Sequence, residues 1–160
     1  MTTPAFEPHD HHDCVSTALR SAETLAHARG LRLTPVRRRT LEILLERHGA
    51  MGAYDVLQRL SEDGFGHQPP VAYRALEFLV EHGLAHRIQR LNAFAACTHP
   101  GQEHQAAFLI CRGCDAVAEV PAAPLRQVLA QSAGAVGFTV ERANIEALGL
   151  CTACQTSADA

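Results

Sequence analysis

Two Cys-x-x-Cys pairs constrain this chain more than any other feature of its sequence. The first pair is Cys111 and Cys114, the second is Cys151 and Cys154, and 36 residues separate them. Each pair offers two thiolates on a tight turn, and together they complete the closed tetrahedral geometry of structural zinc. Because a strand, a helix and a strand are predicted between the pairs, the metal would join the beginning of a small unit to its end.

A redox-active Cys-x-x-Cys is the alternative for these pairs. Such a motif normally opens a helix after a strand within a larger βαβ frame. Here the first pair falls between two predicted strands and the second is almost terminal. These positions favour structural zinc, since paired thiols in a reducing compartment indicate metal ligands before redox centres.

Hydropathy and charge limit the location and the partners of the chain. No stretch reaches the 18 or so uninterrupted apolar residues of a membrane span, and the N-terminus lacks the layout of a signal peptide. We therefore expect a cytoplasmic protein with no membrane partner. The net charge is −3, but residues 30–90 hold nine Arg against seven Asp or Glu, which permits DNA binding without demanding it.

The first half of the chain predicts helices followed by a hairpin. Helices are expected over residues 16–29, from Pro35 after an N-cap at Thr34 and on to Gly49, over 53–62, and after Pro69-Pro70 up to Gly83. Two short runs, 84–90 and 93–97, suit antiparallel strands. This order of elements is typical of a winged helix-turn-helix domain.

The second half predicts a small α/β unit. Strands are expected over residues 106–111, 116–120 and 137–151, with a helix over 124–131. The predicted fold class is thus α+β, a winged helix-turn-helix domain followed by a small α/β domain. The expected divisions are a flexible His-containing tail (1–15), the winged-helix domain (16–98), a linker (99–105) and the α/β domain with structural zinc (106–160).

A second set of potential ligands spans both domains. Its nitrogen, sulfur and oxygen donors are types that zinc accepts, and a metal here would hold one domain against the other. The set consists of His86, Cys97, His104 and Glu119. Spacing alone leaves His82 and His99 equally eligible, and it leaves open that a wing histidine faces solvent or DNA and that Glu119 is an ordinary surface charge.

Candidate DNA contacts lie on two of the predicted helices. Tyr73 and Arg74 stand early in the fourth helix, where a recognition helix presents side chains to base edges. Arg37, Arg38 and Arg39 begin the second helix and would suit phosphates. The alternative for these arginines is a solvated basic face.

Five segments resemble the ferric uptake regulator superfamily, and most closely its zinc uptake regulator branch. They run in order from about Leu31 to Cys154 and so cover nearly everything but the tail. The segments are LRLTPVRRRTLEIL, GAYDVLQRL, PPVAYRALEFLVEHGLAHRI, FAACTHPGQEHQAAFLICRGC and NIEALGLCTAC.

The resemblance implies a homodimer in which the α/β domain is the dimerisation domain. Such a dimer, with about two Zn²⁺ per monomer, binds a pseudopalindromic, AT-rich operator in double-stranded DNA and represses zinc-uptake genes. The resemblance also implies that the four paired cysteines form the structural site and that the set containing Cys97 forms the regulatory site. Tyr54 and Arg74 match base-contacting positions, whereas Val36 and Val71 depart from the usual Gln and hydroxyl residue.

Two features favour zinc over iron within this resemblance. A thiolate at Cys97 suits zinc, the softer ion, and His104 stands nearly alone where iron-sensing relatives tend to carry several histidines.

Other functions remain open at this stage. They are an iron-responsive regulator, a thiol-based redox or peroxide sensor on the same scaffold, and a zinc-storage protein. An enzyme is not expected, because no nucleophile–base pair or phosphate loop is evident and the metal set leaves no open position for water. A third metal site also stays open, with candidates His9, His11, His12, Cys14 and His99.

Overall fold

The protein is described by a computed structural model that covers Phe6, residues 10–101 and residues 105–158. Within these residues the order is four helices, a hairpin, and a sheet with two further helices. The elements are α1 (His11–Ala28), α2 (Pro35–Leu45), α3 (Ala53–Glu62), α4 (Pro69–Glu81), β1 (Ala85–Ile88), β2 (Ala93–Ala96), β3 (Ala106–Cys111), β4 (Val117–Pro121), α5 (Ala123–Gly134), β5 (Glu146–Gly149) and α6 (Thr152–Ala158). This is the predicted winged helix-turn-helix followed by a small α/β domain. No helix in the covered part is both long and apolar enough to cross a membrane.

The first helix begins earlier than the sequence predicts. We expected it to start at Ser16, but α1 starts at His11, inside the segment assigned to a tail. The side chain of Asp10 accepts a hydrogen bond from the backbone N–H of His12 at 2.9 Å, and Asp13 adds a negative charge to the first turn. Apolar periodicity misses this turn because its residues are polar.

The second helix begins as predicted but ends early and lacks its expected side-chain cap. Pro35 is its first residue and Thr34 occupies the N-cap position, yet the Thr34 hydroxyl makes no capping hydrogen bond. The helix ends at Leu45 rather than continuing to Gly49, because the chain turns to pair with β4. There the carbonyl of His48 accepts a hydrogen bond from the N–H of Val117 at 3.0 Å.

Helices α2, α3 and α4 enclose the main core. The predicted apolar face of α4 is buried, with Leu76 and Leu79 fully inaccessible to solvent. Leu44 from α2 and Leu60 from α3 pack in the same cluster. Helix α4 begins at Pro69 itself, and its first turns lie at the protein surface, where Pro70, Tyr73 and Arg74 are exposed.

A second, smaller core joins the hairpin to the carboxy-terminal sheet. Strands β1 and β2 pair antiparallel, as predicted, with Ile88 opposite Ala93. Ile88 and Ala95 pack against Phe108, Ile110 and Val117. The wing is therefore buried on one side by the second half of the chain.

The carboxy-terminal sheet has the strand order β4-β3-β5. Strand β4 is antiparallel to β3, and β5 runs parallel to it. The strand predicted over residues 137–151 is wrong outside Glu146–Gly149, because only these four residues pair with β3. Helix α6 was not predicted, since the segment after Cys151 is short and lacks an apolar periodicity.

Glu146 connects this sheet to the tip of the wing. Its two carboxylate oxygens accept hydrogen bonds from the backbone N–H groups of Gln89, at 2.7 Å, and Arg90, at 2.8 Å. Partial burial would raise the pKa of Glu146, but hydrogen bonds from Asn144 and from the two backbone groups outweigh this, and the pKa is lowered. The carboxylate is therefore a polar contact between the two halves.

We predict that Glu146→Gln destabilises the protein in a pH-dependent way. Because the pKa is lowered, the carboxylate stabilises the folded state fully at pH values above 4.5, the ordinary pKa of a glutamate. This stabilisation is lost as pH falls through the lower pKa of the folded state. The variant should melt about 2 to 4 °C below wild type near neutral pH, as expected for about 1 kcal/mol of lost hydrogen bonding. Thermal unfolding of both proteins at each pH should show this gap narrowing below pH 4.5; a gap that stays constant would contradict the assignment.

Candidate metal centre

Four cysteines converge at the end of the carboxy-terminal sheet. Cys111 ends β3, Cys114 lies in the turn to β4, Cys151 directly precedes α6, and Cys154 lies in the first turn of α6. Their sulfur atoms all lie within 4.8 Å of one another. The Sγ atoms of Cys114 and Cys151 are 3.8 Å apart, which matches the separation of about 3.8 Å expected for tetrahedral sulfurs about 2.3 Å from zinc.

The backbone around this cluster stabilises thiolate. The N–H of Cys151 donates to the Sγ of Cys111 at 3.3 Å, and this bond is the main reason why the pKa of Cys111 is lowered to about 6. Hydrogen bonding with the neighbouring thiols, Cys151 first, raises the pKa of Cys154 to about 12. Four thiolates this close repel one another unless a cation lies among them, so the donor set fits a divalent metal.

Gly113 allows the sulfurs to approach. A Cβ atom at this position would lie 2.9 Å from the Sγ of Cys154 and 3.0 Å from its Cβ. The φ of Gly113 is not positive, so the turn itself does not require glycine. Glycine is required at position 113 because any side chain there would occupy the space of the Cys154 side chain.

A second cluster lies between the wing and the carboxy-terminal sheet. It comprises His86 on β1, Cys97 just after β2 and Glu119 on β4, with one ligand atom of each within 4.8 Å of the others. The Nε2 of His86 is 3.4 Å from the Oε2 of Glu119. Nitrogen, sulfur and oxygen donors from both halves of the chain thus meet at one point.

Burial makes this second cluster unfavourable for a lone negative charge. Cys97 is 3% exposed, and the side chain of Glu119 is 6% exposed. Burial, and next the charge of Glu119, raise the pKa of the Cys97 thiol to about 12. A divalent cation bound here would reverse this effect and favour the thiolate, so this donor set also fits a metal.

Thr98 orients the carboxylate of Glu119. Its backbone N–H and its hydroxyl both donate to the Oε2 of Glu119, at 3.1 and 3.0 Å. We did not anticipate this role, and the only sequence signal is a hydroxyl residue directly after a potential ligand. Such partners fix the orientation of ligands in metal sites.

The remaining histidines of this set are placed differently. His104, the fourth expected ligand, lies outside the described residues. His82 packs its ring on Phe78 at the end of α4, and His99 bonds through Nδ1 to the Thr98 hydroxyl. Neither of these two belongs to the cluster.

The expected DNA contacts divide into exposed and packed side chains. Tyr54 is 69% exposed on the first turn of α3, and Tyr73 is 41% exposed on α4. Arg74 is also exposed and forms no salt bridge within residues 10–101 and 105–158. The guanidinium of Arg37 instead lies 3.7 Å from the Phe78 ring centre and donates to the carbonyl of Arg32 at 2.7 Å.

The other two arginines at the start of α2 are paired with carboxylates. Arg38 forms salt bridges with Glu23 and Glu42. Arg39 contacts Glu42 and Asp63, the latter at 2.6 Å. This region is therefore a network of ion pairs rather than a solvated basic face.

The fold and the two clusters define a winged-helix protein with one set of candidate metal ligands in its carboxy-terminal half and a second set between its two halves. A sequence model of the ferric uptake regulator family matches residues 28–148. The chain belongs to the ferric uptake regulator family.

The chain is similar to several zinc uptake regulators. The zinc uptake regulation protein of Escherichia coli K12 is 38% identical over 137 residues, which are 85% of this chain and 80% of that protein. A zinc uptake regulator complexed with zinc and DNA superimposes with a TM-score of 0.82 at 35% identity, covering 91% of this chain and 98% of the other.

Two structures of one further relative, XcZur, differ in their likeness to this chain. Holo XcZur gives a TM-score of 0.76, covering 88% of this chain and 98% of its own, and apo XcZur gives 0.52, covering 89% and 99%. Both are 35% identical to this chain. The overall structure of this chain is therefore more similar to holo XcZur than to apo XcZur.

We predict that Gly113→Ala weakens metal binding by the four cysteines. The added methyl group must displace Cys154, and such overpacking costs about 1 to 3 kcal/mol. Zinc release to a chelator should be about tenfold or more faster, and urea unfolding should shift to lower concentration.

The matched control is Gly134→Ala at the end of α5, where an added methyl group would meet no atom of the described residues within 4 Å. This control should release zinc at the wild-type rate. Equal release rates for both variants would show that Gly113 does not provide space for Cys154.

Proposed function

We propose that the protein is a zinc-responsive transcriptional repressor whose zinc-loaded dimer binds operator DNA of zinc-uptake and zinc-homeostasis genes. The observation that carries this proposal is the cluster of His86, Cys97 and Glu119, which draws ligands from both halves of the chain. The similarity to a zinc uptake regulator solved with zinc and DNA supports the same conclusion. The proposed activity is regulatory and not enzymatic.

We assign about two zinc ions to each chain. The structural ion would be held by Cys111, Cys114, Cys151 and Cys154. The regulatory ion would be held by His86, Cys97 and Glu119, with His104 as the fourth ligand expected from the family resemblance. The proposed division is a winged-helix domain up to residue 98, which includes α1 from His11 rather than from residue 16, a linker over 99–105 and the α/β domain over 106–160.

The donor set of the regulatory site favours zinc over iron. Thiolate is a soft ligand, and Cys97 is enclosed with an imidazole and a carboxylate in a site of low exposure. Because the thiol is protonated without metal, binding must release its proton, and zinc affinity should decrease as pH falls.

The regulatory residues can bias the arrangement of the two halves. A bound ion supplies a cross-link between the wing and β4. The chain itself already provides hydrogen bonds across this boundary, from Thr98 to Glu119 and from the wing tip to Glu146. Zinc and DNA that prefer the same arrangement then increase each other's affinity, typically by about 5- to 150-fold.

The DNA-facing surface would include the first turns of α3 and α4. We propose that Arg74 and Tyr73 contact base edges, that Tyr54 contributes a further contact, and that the operator is pseudopalindromic and AT-rich. Arg37 can reach phosphate only by leaving Phe78 and the Arg32 carbonyl, so its contribution would depend on rearrangement.

The carboxy-terminal half presents the surface proposed for homodimerisation. Helix α5 has no buried residue. Large apolar side chains on α5, β3, β5 and the connecting loop are 38 to 81% exposed, namely Leu109, Leu125, Val128, Leu129, Val136, Phe138 and Leu148. Such a concentration of exposed apolar surface is typical of a protein interface.

A redox sensor on the same scaffold is less well supported. The cysteines within the described ranges form no disulfide. Cys97 is buried and its pKa is raised, whereas reactive thiols are accessible and have lowered pKa values.

We propose a cytoplasmic location for the protein. Thiols that bind metal must stay reduced, and the protein must be able to reach DNA.

We predict that Cys97→Ala removes the zinc response of operator binding. Wild-type protein should bind operator about 5- to 150-fold more tightly once the regulatory zinc is bound. The variant should retain the four-cysteine zinc and bind operator weakly at every buffered zinc concentration. Fluorescence anisotropy with bound zinc counted in parallel measures both quantities.

Arg74→Ala provides the complementary control. It should keep both zinc ions and lose about 1 to 3 kcal/mol of operator affinity at saturating zinc. If Cys97→Ala responded to zinc like wild type, or if wild-type binding followed thiol oxidation instead, the zinc-switch proposal would be wrong.

We predict that Val128→Asp dissociates the dimer. Val128 is 62% exposed in the single chain, and burying a carboxylate in an apolar interface should cost about 2 kcal/mol or more, roughly 30-fold in the dimer dissociation constant. Gln127→Asp adds the same charge on another face of α5 and should remain dimeric. Sedimentation equilibrium that gave the same association for both variants would argue against this interface.

A further inference from the structure

Three side chains able to bind a metal lie together at the start of α1, and none of them belongs to the two clusters already described. His11 and Cys14 are three residues apart in the helix and therefore share a face. His48 approaches them from the loop after α2. We call these three residues the first-helix cluster.

The geometry of the first-helix cluster suits a single ion. One ligand atom from each residue lies within 4.8 Å of the other two. The Sγ of Cys14 is 3.9 Å from the Nε2 of His48, close to the separation of about 3.6 Å for sulfur and nitrogen bound tetrahedrally to one zinc. The rings of His11 and His48 meet edge to face with centroids 4.7 Å apart.

The surroundings leave space for a further ligand. A cavity of about 510 Å³ lies between α1 and the base of the wing, and Cys14 and His48 are part of its lining. Asp10 and Asp13 also contribute to the lining of this cavity. All three cluster residues are half-buried, which gives an ion access from solvent while shielding its ligands.

We propose that His11, Cys14 and His48 form a third metal site of the zinc class, which fastens the start of α1 to the loop that pairs with β4. One sulfur and two imidazole nitrogens are ligands that zinc prefers. Neither His12, which is exposed, nor His99 belongs to the cluster, and His9 lies outside the described residues.

The backbone of His48 places this third site next to the boundary between the two halves. Its carbonyl accepts the hydrogen bond from Val117, and Gly49 pairs with Ala116. Val117 is two residues before Glu119 on the same strand. An ion at the first-helix cluster thus holds α1 to the same backbone that positions Glu119, while its existence does not depend on the proposed repressor function.

Equilibrium dialysis of the full chain against buffered zinc, followed by metal analysis, tests this site. Wild type should reach three zinc ions per chain, and Cys14→Ser and His48→Gln should each reach two. His12→Gln, which changes a histidine of the same turn outside the cluster, should keep three. Cys14→Ser alters α1, whereas His48→Gln alters the loop after α2. If one of these two variants fails to fold, the zinc count of the other still tests the site.

A Cys97→Ala background separates this inference from the proposed function. If both proposals are correct, Cys97→Ala binds two ions. When its second ion is supplied as Co²⁺, the protein should show a sulfur-to-metal charge-transfer band. Adding Cys14→Ser to the Cys97→Ala variant should remove this band. A count of one in this background, or three ions in Cys14→Ser and His48→Gln, would overturn the third site. Two ions in both wild type and Cys97→Ala would support the third site and contradict the regulatory site instead.

Discussion

The rest of the structure depends on the contact between the wing and the carboxy-terminal sheet. At its centre a buried thiol, Cys97, lies beside a buried carboxylate, Glu119, and two negative groups at low exposure are stable together only with a proton or a cation. Around them the contact combines a small apolar core, the hydrogen bonds of Thr98 and those of Glu146. Most of this boundary is therefore ordinary packing, and its charged centre is the part that a metal can control.

The carboxy-terminal half needs a different source of stability. Helix α5 buries no side chain and β5 is largely exposed, so the sheet relies on β3, on β4 and on its contact with the wing. Four cysteines at the end of β3 and the start of α6 join the two ends of this half, which is how a small unit with little core can be held together. The apolar surface that remains is then available to a second copy of the chain.

Local rules predicted the helices and the two-domain fold better than they predicted the spatial clusters. Proline at the first position of α2 and the apolar period of α4 located those helices, but the polar first turn of α1 was missed because its signal is the Asp10 cap. The strand predicted over residues 137–151 was too long, because the length of β5 is set by its pairing with β3. His48 was not considered as a ligand, since only the folded chain brings it to His11 and Cys14. The packing of Arg37 on Phe78 likewise depends on tertiary structure.

The most direct test of the central claim is amide hydrogen exchange at the wing tip, with and without the regulatory zinc. The backbone N–H groups of Gln89 and Arg90 donate to Glu146 across the boundary, so they report whether the two halves are in contact. With the four-cysteine zinc retained in both samples, these two amides should exchange slowly when the regulatory site is loaded and much faster when it is empty. Equal protection in both states would contradict the claim that zinc at His86, Cys97 and Glu119 controls the arrangement of the two halves.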